Sequence, residues 1–176
     1  MNKKILFITQ AGAIAALYVI LTIFANALGL ASGDIQVRFS EALTILPFFT
    51  PAAIPGLYVG CLLSNIFCGS IIWDVIFGSL ATLLGAVGTY ALRKKAPEWC
   101  ACIPPILANM LIIPFILVYA YGLPGVASAF GLEMKGIPVL IFMLTVGIGE
   151  IISCGILGTL LLKILKKYRR HLFPGT

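Results

Sequence analysis

Apolar residues run along this chain in long blocks, without the strict alternation of a half-buried strand or the single stripe of a surface helix. From Ile5 to Leu28 nothing more polar than Thr9, Gln10, Thr22 and Asn26 intervenes. As a helix this block is about 36 Å long, enough to cross a hydrocarbon core of about 30 Å with some tilt. The next block, Phe39 to Phe67, is interrupted by Pro47, Pro51 and Pro55. Proline stops or kinks a helix and biases the residue before it away from the α region. The pattern therefore predicts a short helix over Phe39–Phe49, a Thr50-Pro51 turn and a second helix over Ala52–Phe67. Further helices are predicted over Ile71–Leu92, over Cys102–Tyr121 and over Ile137 to about Leu165. Pro104 and Pro105 lie in the first turn of the Cys102 helix, and Pro114 is a predicted kink. The expected fold is an all-α integral membrane protein of six transmembrane helices, the second one short, forming a single domain over residues 1–176.

Composition agrees and narrows the class. The 176 residues are 61% hydrophobic and 10% charged, with a mean hydropathy of +1.10. A soluble domain is roughly 25% charged. The six acidic residues here cannot clothe a body of this size in water. Disorder, a disulfide scaffold and a coiled coil are excluded on the same ground.

The net charge of +6 changes the picture only through its placement. Lys3 and Lys4 precede the first helix, Arg93, Lys94 and Lys95 follow the fourth, and Lys163, Lys166, Lys167, Arg169 and Arg170 end the sixth. With six spans and both termini inside, these ten all face the cytoplasm, and only Arg38 and Lys135 lie outside. Five spans would put one basic cluster on the wrong side. The basic excess is thus an orientation signal with some attraction for anionic lipid, and no nucleic-acid partner is expected. Ala25-Asn26-Ala27 resembles a signal-peptidase site, but the apolar run before it is longer than the usual 7–15-residue core, so a retained helix is expected. The expected setting is the plasma membrane of a prokaryote, with several passes. The five cysteines are scattered and read as small apolar side chains, with no metal site expected.

Chemistry-bearing motifs are missing from the sequence. It has no Walker A loop, no Ser/His/Asp grouping and no metal-ligand cluster, so neither an enzyme nor a self-powered pump is expected. What remains informative is polarity at membrane depth, which costs roughly 2.5–3.5 kcal/mol per acidic side chain at a helix centre. Glu150 lies about 20 Å into the last helix at ~1.5 Å per residue. Asn109 is well inside the fifth helix. Arg38, Glu41, Asn65, Trp73 and Asp74 gather toward the outer end. Simpler readings stand beside the functional one. Arg38 and Glu41 can pair at i,i+3, Asp74 can be an exposed helix-start charge, and Trp73 an interfacial anchor. In the first helix, Ala11 and Ala15, like Gly12 and Ala16, are four apart, giving a small-residue side suited to close helix approach, whether within the chain or to a partner.

The stretches Ile35-Gln36-Val37-Arg38-Phe39-Ser40-Glu41-Ala42-Leu43-Thr44, Leu46-Pro47-Phe48-Phe49-Thr50-Pro51-Ala52-Ala53-Ile54-Pro55-Gly56-Leu57 and Trp73-Asp74-Val75-Ile76-Phe77-Gly78-Ser79-Leu80-Ala81-Thr82-Leu83 resemble the QueT family of queuosine-precursor transporters. The resemblance runs from the first helix to the basic tail, more by pattern than by residue in the last two helices. It implies a likeness to the substrate-binding S components of energy-coupling factor (ECF) transporters. Such proteins capture a micronutrient from the outer side and dock on a module of one transmembrane coupling protein and two ATPases. An Ala-xxx-Ala surface on the first helix makes that contact in the class, and Ala11 and Ala15 match it. The resemblance implies no cofactor bound by this chain, ATP being used by the partner ATPases.

The ligand the resemblance implies is a 7-deazaguanine such as preQ0, preQ1 or queuine. The expected binding residues are Arg38, Glu41, Asn65, Trp73, Asp74, Phe77, Asn109 and Glu150. A carboxylate would accept the paired donors of the guanine-like edge, a second would meet a basic amine, and Trp73, Phe77 and Tyr119 or Tyr121 would stack on the ring. The loops Gly29–Arg38 and Gly122–Gly136 are candidate lids. Alternatives are an S component for another vitamin, or a small autonomous secondary transporter.

Overall fold

The computed structural model describes residues 2–30, 36–120 and 137–172. Chain order is α1 (Lys3–Ala27), a 3₁₀ helix (Phe39–Phe48), α2 (Ala53–Phe67), α3 (Ile72–Leu92), a 3₁₀ turn (Glu98–Cys102) and α4 (Ile103–Phe115), which widens into a π-helical turn (Ile116–Ala120). After it come α5 (Ile137–Glu150), a π-helical stretch (Ile151–Gly158) and α6 (Thr159–Leu172). Lys135, Tyr121, residues 31–35 of the first candidate lid and the Gly122–Gly136 lid lie outside the described residues.

Four helical stretches are long and apolar enough to cross a membrane: Lys3–Ala27, Ile72–Leu92, Glu98–Ala120 and Val139–Tyr168. Phe39–Phe48 and Ala53–Phe67 are shorter apolar helices. Large side chains such as Ile8, Ile20, Phe67 and Ile72 lie exposed on the outside of the bundle, as a lipid-facing surface allows. The chain is a multi-pass membrane protein.

The expected second helix is a ten-residue 3₁₀ helix, unusually long for that geometry. Its ties to α1 explain it. The Thr22 and Ser40 hydroxyls meet at 2.8 Å, and Thr50 donates to Gln10 at 3.0 Å. Thr22 and Gln10 are twelve residues apart in α1, about 18 Å. The ten residues from Ser40 to Thr50 cover about 20 Å at ~2.0 Å per residue, but only about 15 Å as α-helix. Only the stretched form reaches, and Pro47 inside it already lacks one of the N–H groups an α-helix would use.

Because this segment returns the chain to the start of α1, α2 runs parallel to α1. A Cβ on Gly56 would lie 2.7 Å from the Ala11 carbonyl oxygen, and one on Gly60 would lie 2.8 Å from Tyr18 Cβ and 3.0 Å from the Ala15 carbonyl. The four-residue spacing of small residues on both helices sets this contact. Gly29 and Gly69, both at φ +71°, end α1 and α2 with left-handed caps. In each cap the following N–H reaches back to a helix carbonyl, Leu30 to Ala25 and Ser70 to Asn65. The predicted disturbance at Pro114 takes the form of the π-helical turn that begins two residues later.

Candidate functional site

One end of the bundle collects the ends of several elements: the last turns of α1 and α2, the first turns of the 3₁₀ helix and α3, and the later part of α4. The junction of α5 with its π-helical stretch reaches the same region from deeper in the bundle. Their polar side chains point inward. Glu41, 2% exposed, accepts the Tyr18 hydroxyl on Oε1. Asn109, also buried, donates to Glu150 Oε1 at 2.8 Å. Glu150 is 9% exposed. The second oxygen of each acid, Glu41 Oε2 and Glu150 Oε2, is buried without a hydrogen-bond partner. Buried polar atoms are nearly always paired, so two such atoms on one wall mark a place that demands donors.

Two chambers share the wall formed by Gln36, Arg38 and Ile113. The inner one, about 30 Å³, is lined by Glu41, Glu150, Asn109, Cys61 and Thr82. The outer one, about 220 Å³, is lined by Thr22, Asn26, Asn65, Cys68, Ser70 and Asp74. Asp74 is buried in the first turn of α3, and the Asn65 amide donates to its carbonyl at 3.3 Å. Gly78 makes room beside them: a Cβ there would lie 3.1 Å from Asp74 Oδ1 and 3.3 Å from Asn65 Nδ2.

The strap Gln36–Arg38 runs over this region. The Gln36 carbonyl crosses α5 at Gly149, where a Cβ would come within 2.2 Å of it. No residue with a side chain fits beneath that crossing. One turn further on, Ser153 Oγ accepts the Arg38 backbone N–H at 3.2 Å. The π-helical stretch after Glu150 holds Ser153 and Cys154 buried on the inner side, and wide turns of this kind are frequent at functional sites.

Of the residues expected from sequence, Arg38, Glu41, Asn109 and Glu150 converge on the inner chamber, and Arg38, Asn65 and Asp74 on the outer one. Arg38 and Glu41 do not form the i,i+3 ion pair. Among the described residues the ion pair within 4.0 Å is Lys166 with Glu98, far from the site. Trp73 and Phe77 are not brought to the acids. They are 52% and 40% exposed, stack on each other with ring centroids 6.0 Å apart, and line an open apolar groove with Phe115 and Tyr119. The reason is helical phase: Trp73 and Phe77 share one face, whereas Asp74 and Gly78, one residue on, share the inner face. Ala11 and Ala15 meet α2 at Gly56 and Gly60. Ala15 is buried and both pack against α2, so the open small-residue side of α1 is Gly12 and Ala16, both exposed.

Sequence reasoning missed Tyr18, Gln36, Cys61, Thr82, Gly149 and Ser153. None is anomalous within an apolar run. The available signal was the glycine pair Gly147 and Gly149 immediately before an intramembrane acid, since glycine in a helix interior commonly marks close backbone approach.

A bundle of apolar helices whose polar side chains close around an acidic chamber is the construction of a membrane protein that handles a small solute. The QueT transporter family matches residues 8–167, and the chain belongs to that family, a family of transporters and not of enzymes. It is 43% identical over 72 residues to the queuosine precursor transporter QueT of Lactococcus lactis subsp. cremoris (strain MG1363), an alignment that covers 40% of this chain and 41% of that protein. The chain thus spans about two fifths of the length of that relative. No solved structure matches it.

Proposed function

We propose that this chain is the membrane-embedded substrate-binding component of an ATP-driven uptake system for a queuosine precursor, a 7-deazaguanine held in the acid-lined chambers beneath the Gln36–Arg38 strap. The observation that carries this reading is the pair of buried carboxylates, Glu41 and Glu150, which line one chamber and each keep a buried oxygen without a partner. Deazaguanines are rich in N–H donors, and a buried acceptor left unpaired by the wrong ligand discriminates strongly. Family membership and the L. lactis relative's name support the substrate class.

In this reading both termini are cytoplasmic, and Phe39–Phe48 and Ala53–Phe67 complete a count of six passes. Ten of the twelve basic residues then lie inside, as the positive-inside rule requires. The energy comes from partner chains, a transmembrane coupling protein and two ATPases, because the sequence holds no nucleotide-binding loop. The coupling protein docks on the open side of α1 at Gly12 and Ala16, the counterpart of the side that α2 already occupies. A tryptophan at either position is expected to abolish co-purification of the ATPases while leaving ligand binding intact; retained co-purification would overturn the docking site.

The ligand is tested by purifying the chain in detergent, identifying the small molecule it carries by mass spectrometry, and titrating it with preQ1, queuine, guanine and riboflavin. A deazaguanine bound more tightly than guanine and riboflavin is expected. Tight binding of riboflavin alone would overturn the substrate class. Substrate uptake in cells lacking every ATPase partner would overturn the energy source and favour an autonomous transporter.

A further inference from the structure

We propose that the inner chamber is an ammonium subsite, in which Glu41 and Glu150 together hold a primary alkylammonium group of the ligand, so that the chain selects a deazaguanine bearing a primary amine over neutral ones. This rests on the deazaguanine reading of the same site and goes beyond it by dividing the ligand between the two chambers.

Three observations carry it. The first is acceptor count. Oε1 of Glu41 is taken by Tyr18 and Oε1 of Glu150 by Asn109, leaving one free oxygen on each acid. The site thus offers one oxygen from each of two acids, in place of the two parallel oxygens of one carboxylate that best match the adjacent donors of a guanine-like edge. Two single oxygens from different helices suit a group whose N–H bonds diverge, and an alkylammonium has three such bonds. Thr82 supplies a third acceptor: its proton is directed to the Gly78 carbonyl at 3.2 Å or Cys61 Sγ at 3.3 Å, so its lone pairs stay free.

The second is size. About 30 Å³ is room for a group the size of one or two waters and for no heterocycle. The bicyclic ring belongs in the outer chamber of about 220 Å³, where Asp74, Asn65 and Asn26 present acceptors and donors to its edge. The chambers adjoin at Gln36, Arg38 and Ile113, and the proposal sets the ring in one and its one-carbon arm in the other.

The third is charge. Glu41 and Glu150 both line the inner chamber, with Arg38 as the base beside them. Arg38 lines the outer chamber as well, where Asp74 is a third acid. The two linings thus hold three acids against one base, an imbalance that a cationic ligand group offsets. A nitrile in the same place would set an electron-rich nitrogen against two carboxylates.

The test is calorimetric titration of the detergent-purified chain, at fixed pH and salt, with preQ1 (7-aminomethyl) and preQ0 (7-cyano), for the wild type, Glu41→Gln and Glu150→Gln. The expected results are a wild-type preference for preQ1 of about tenfold or more, and in each glutamine variant a loss of about tenfold or more for preQ1. Affinity for preQ0 should change by less than about threefold, and its retention shows that the variant is folded. Equal wild-type affinity for the two ligands overturns the subsite, as does a parallel loss of both in the variants. If a variant binds neither and has also lost its helical spectrum, it is unfolded and the wild-type ratio decides; if it keeps that spectrum, the subsite is overturned. If the wild type binds no deazaguanine at all, including queuine, the broader substrate reading falls, an outcome distinct from a missing amine preference.

Discussion

Glu41 and Glu150 illustrate what single residues in this chain reveal and what they conceal. An acid in an apolar run is costly enough to be noticed at once, and so are Arg38, Asn65, Asp74 and Asn109. The partners that give these groups their geometry were silent, because a tyrosine, a cysteine or a threonine in a membrane helix is unexceptional. Tyr18 is the clearest case. It is fully buried, and its hydroxyl occupies one oxygen of Glu41. Tyr18→Phe leaves that carboxylate with two unpaired oxygens, a loss of about 1–3 kcal/mol. Thermal unfolding in detergent should show a lower midpoint, and an unchanged midpoint would mean that the hydroxyl is not a structural donor. Gly149 is a second silent residue. Gly149→Ala places a methyl group against the Gln36 carbonyl, and the strap must lift. Ligand affinity is expected to fall by about tenfold or more with helix content retained, since displaced contacts of this kind cost roughly 1–3 kcal/mol; unchanged affinity would detach the strap from the site.

At the scale of elements, block boundaries were legible to within a few residues because proline and glycine punctuate the apolar runs. The geometry inside the blocks was not. Whether Phe39–Phe48 is α or 3₁₀ is decided by the distance between its two ties to α1, which depends on tertiary contacts that no local pattern encodes. Trp73 and Phe77 were expected as rings that stack on the ligand, and a single residue step around the helix separates their face from that of Asp74. Small residues on α1 were legible as a contact side, but not which side meets α2. Two leucine substitutions separate these roles. Gly60→Leu drives a side chain into the Ala15 backbone and Tyr18, so a destabilisation of about 1–3 kcal/mol or more is expected, with loss of ligand binding as Tyr18 shifts. Gly12→Leu meets nothing within 4 Å and should leave both stability and ligand affinity unchanged. If the two variants behave alike, the assignment of the α1 sides is wrong.

For the whole molecule, charge is divided between the ends. Basic residues flank the start of α1, the end of α3 and α6, and the buried acids lie toward the opposite end and the middle. At the basic end Lys166 and Glu98 pair at 2.6 Å with both side chains substantially exposed. Such a pair contributes little, about 0–1 kcal/mol, and Lys166→Ala is expected to leave binding untouched. The sequence showed the division of charge but not the chamber, because the chamber exists only where α1 and α2 run parallel and α5 brings Glu150 up to Asn109. The account stands or falls on that chamber holding the ligand. The most direct measurement is titration of preQ1 into the purified wild type and into Asn109→Leu, which fills the inner chamber with a branched apolar group and removes the donor to Glu150. A weakening of about a hundredfold with the helical spectrum preserved is predicted, from the lost charge-assisted bond and the occluded space together. Unchanged affinity in the folded variant would contradict the account.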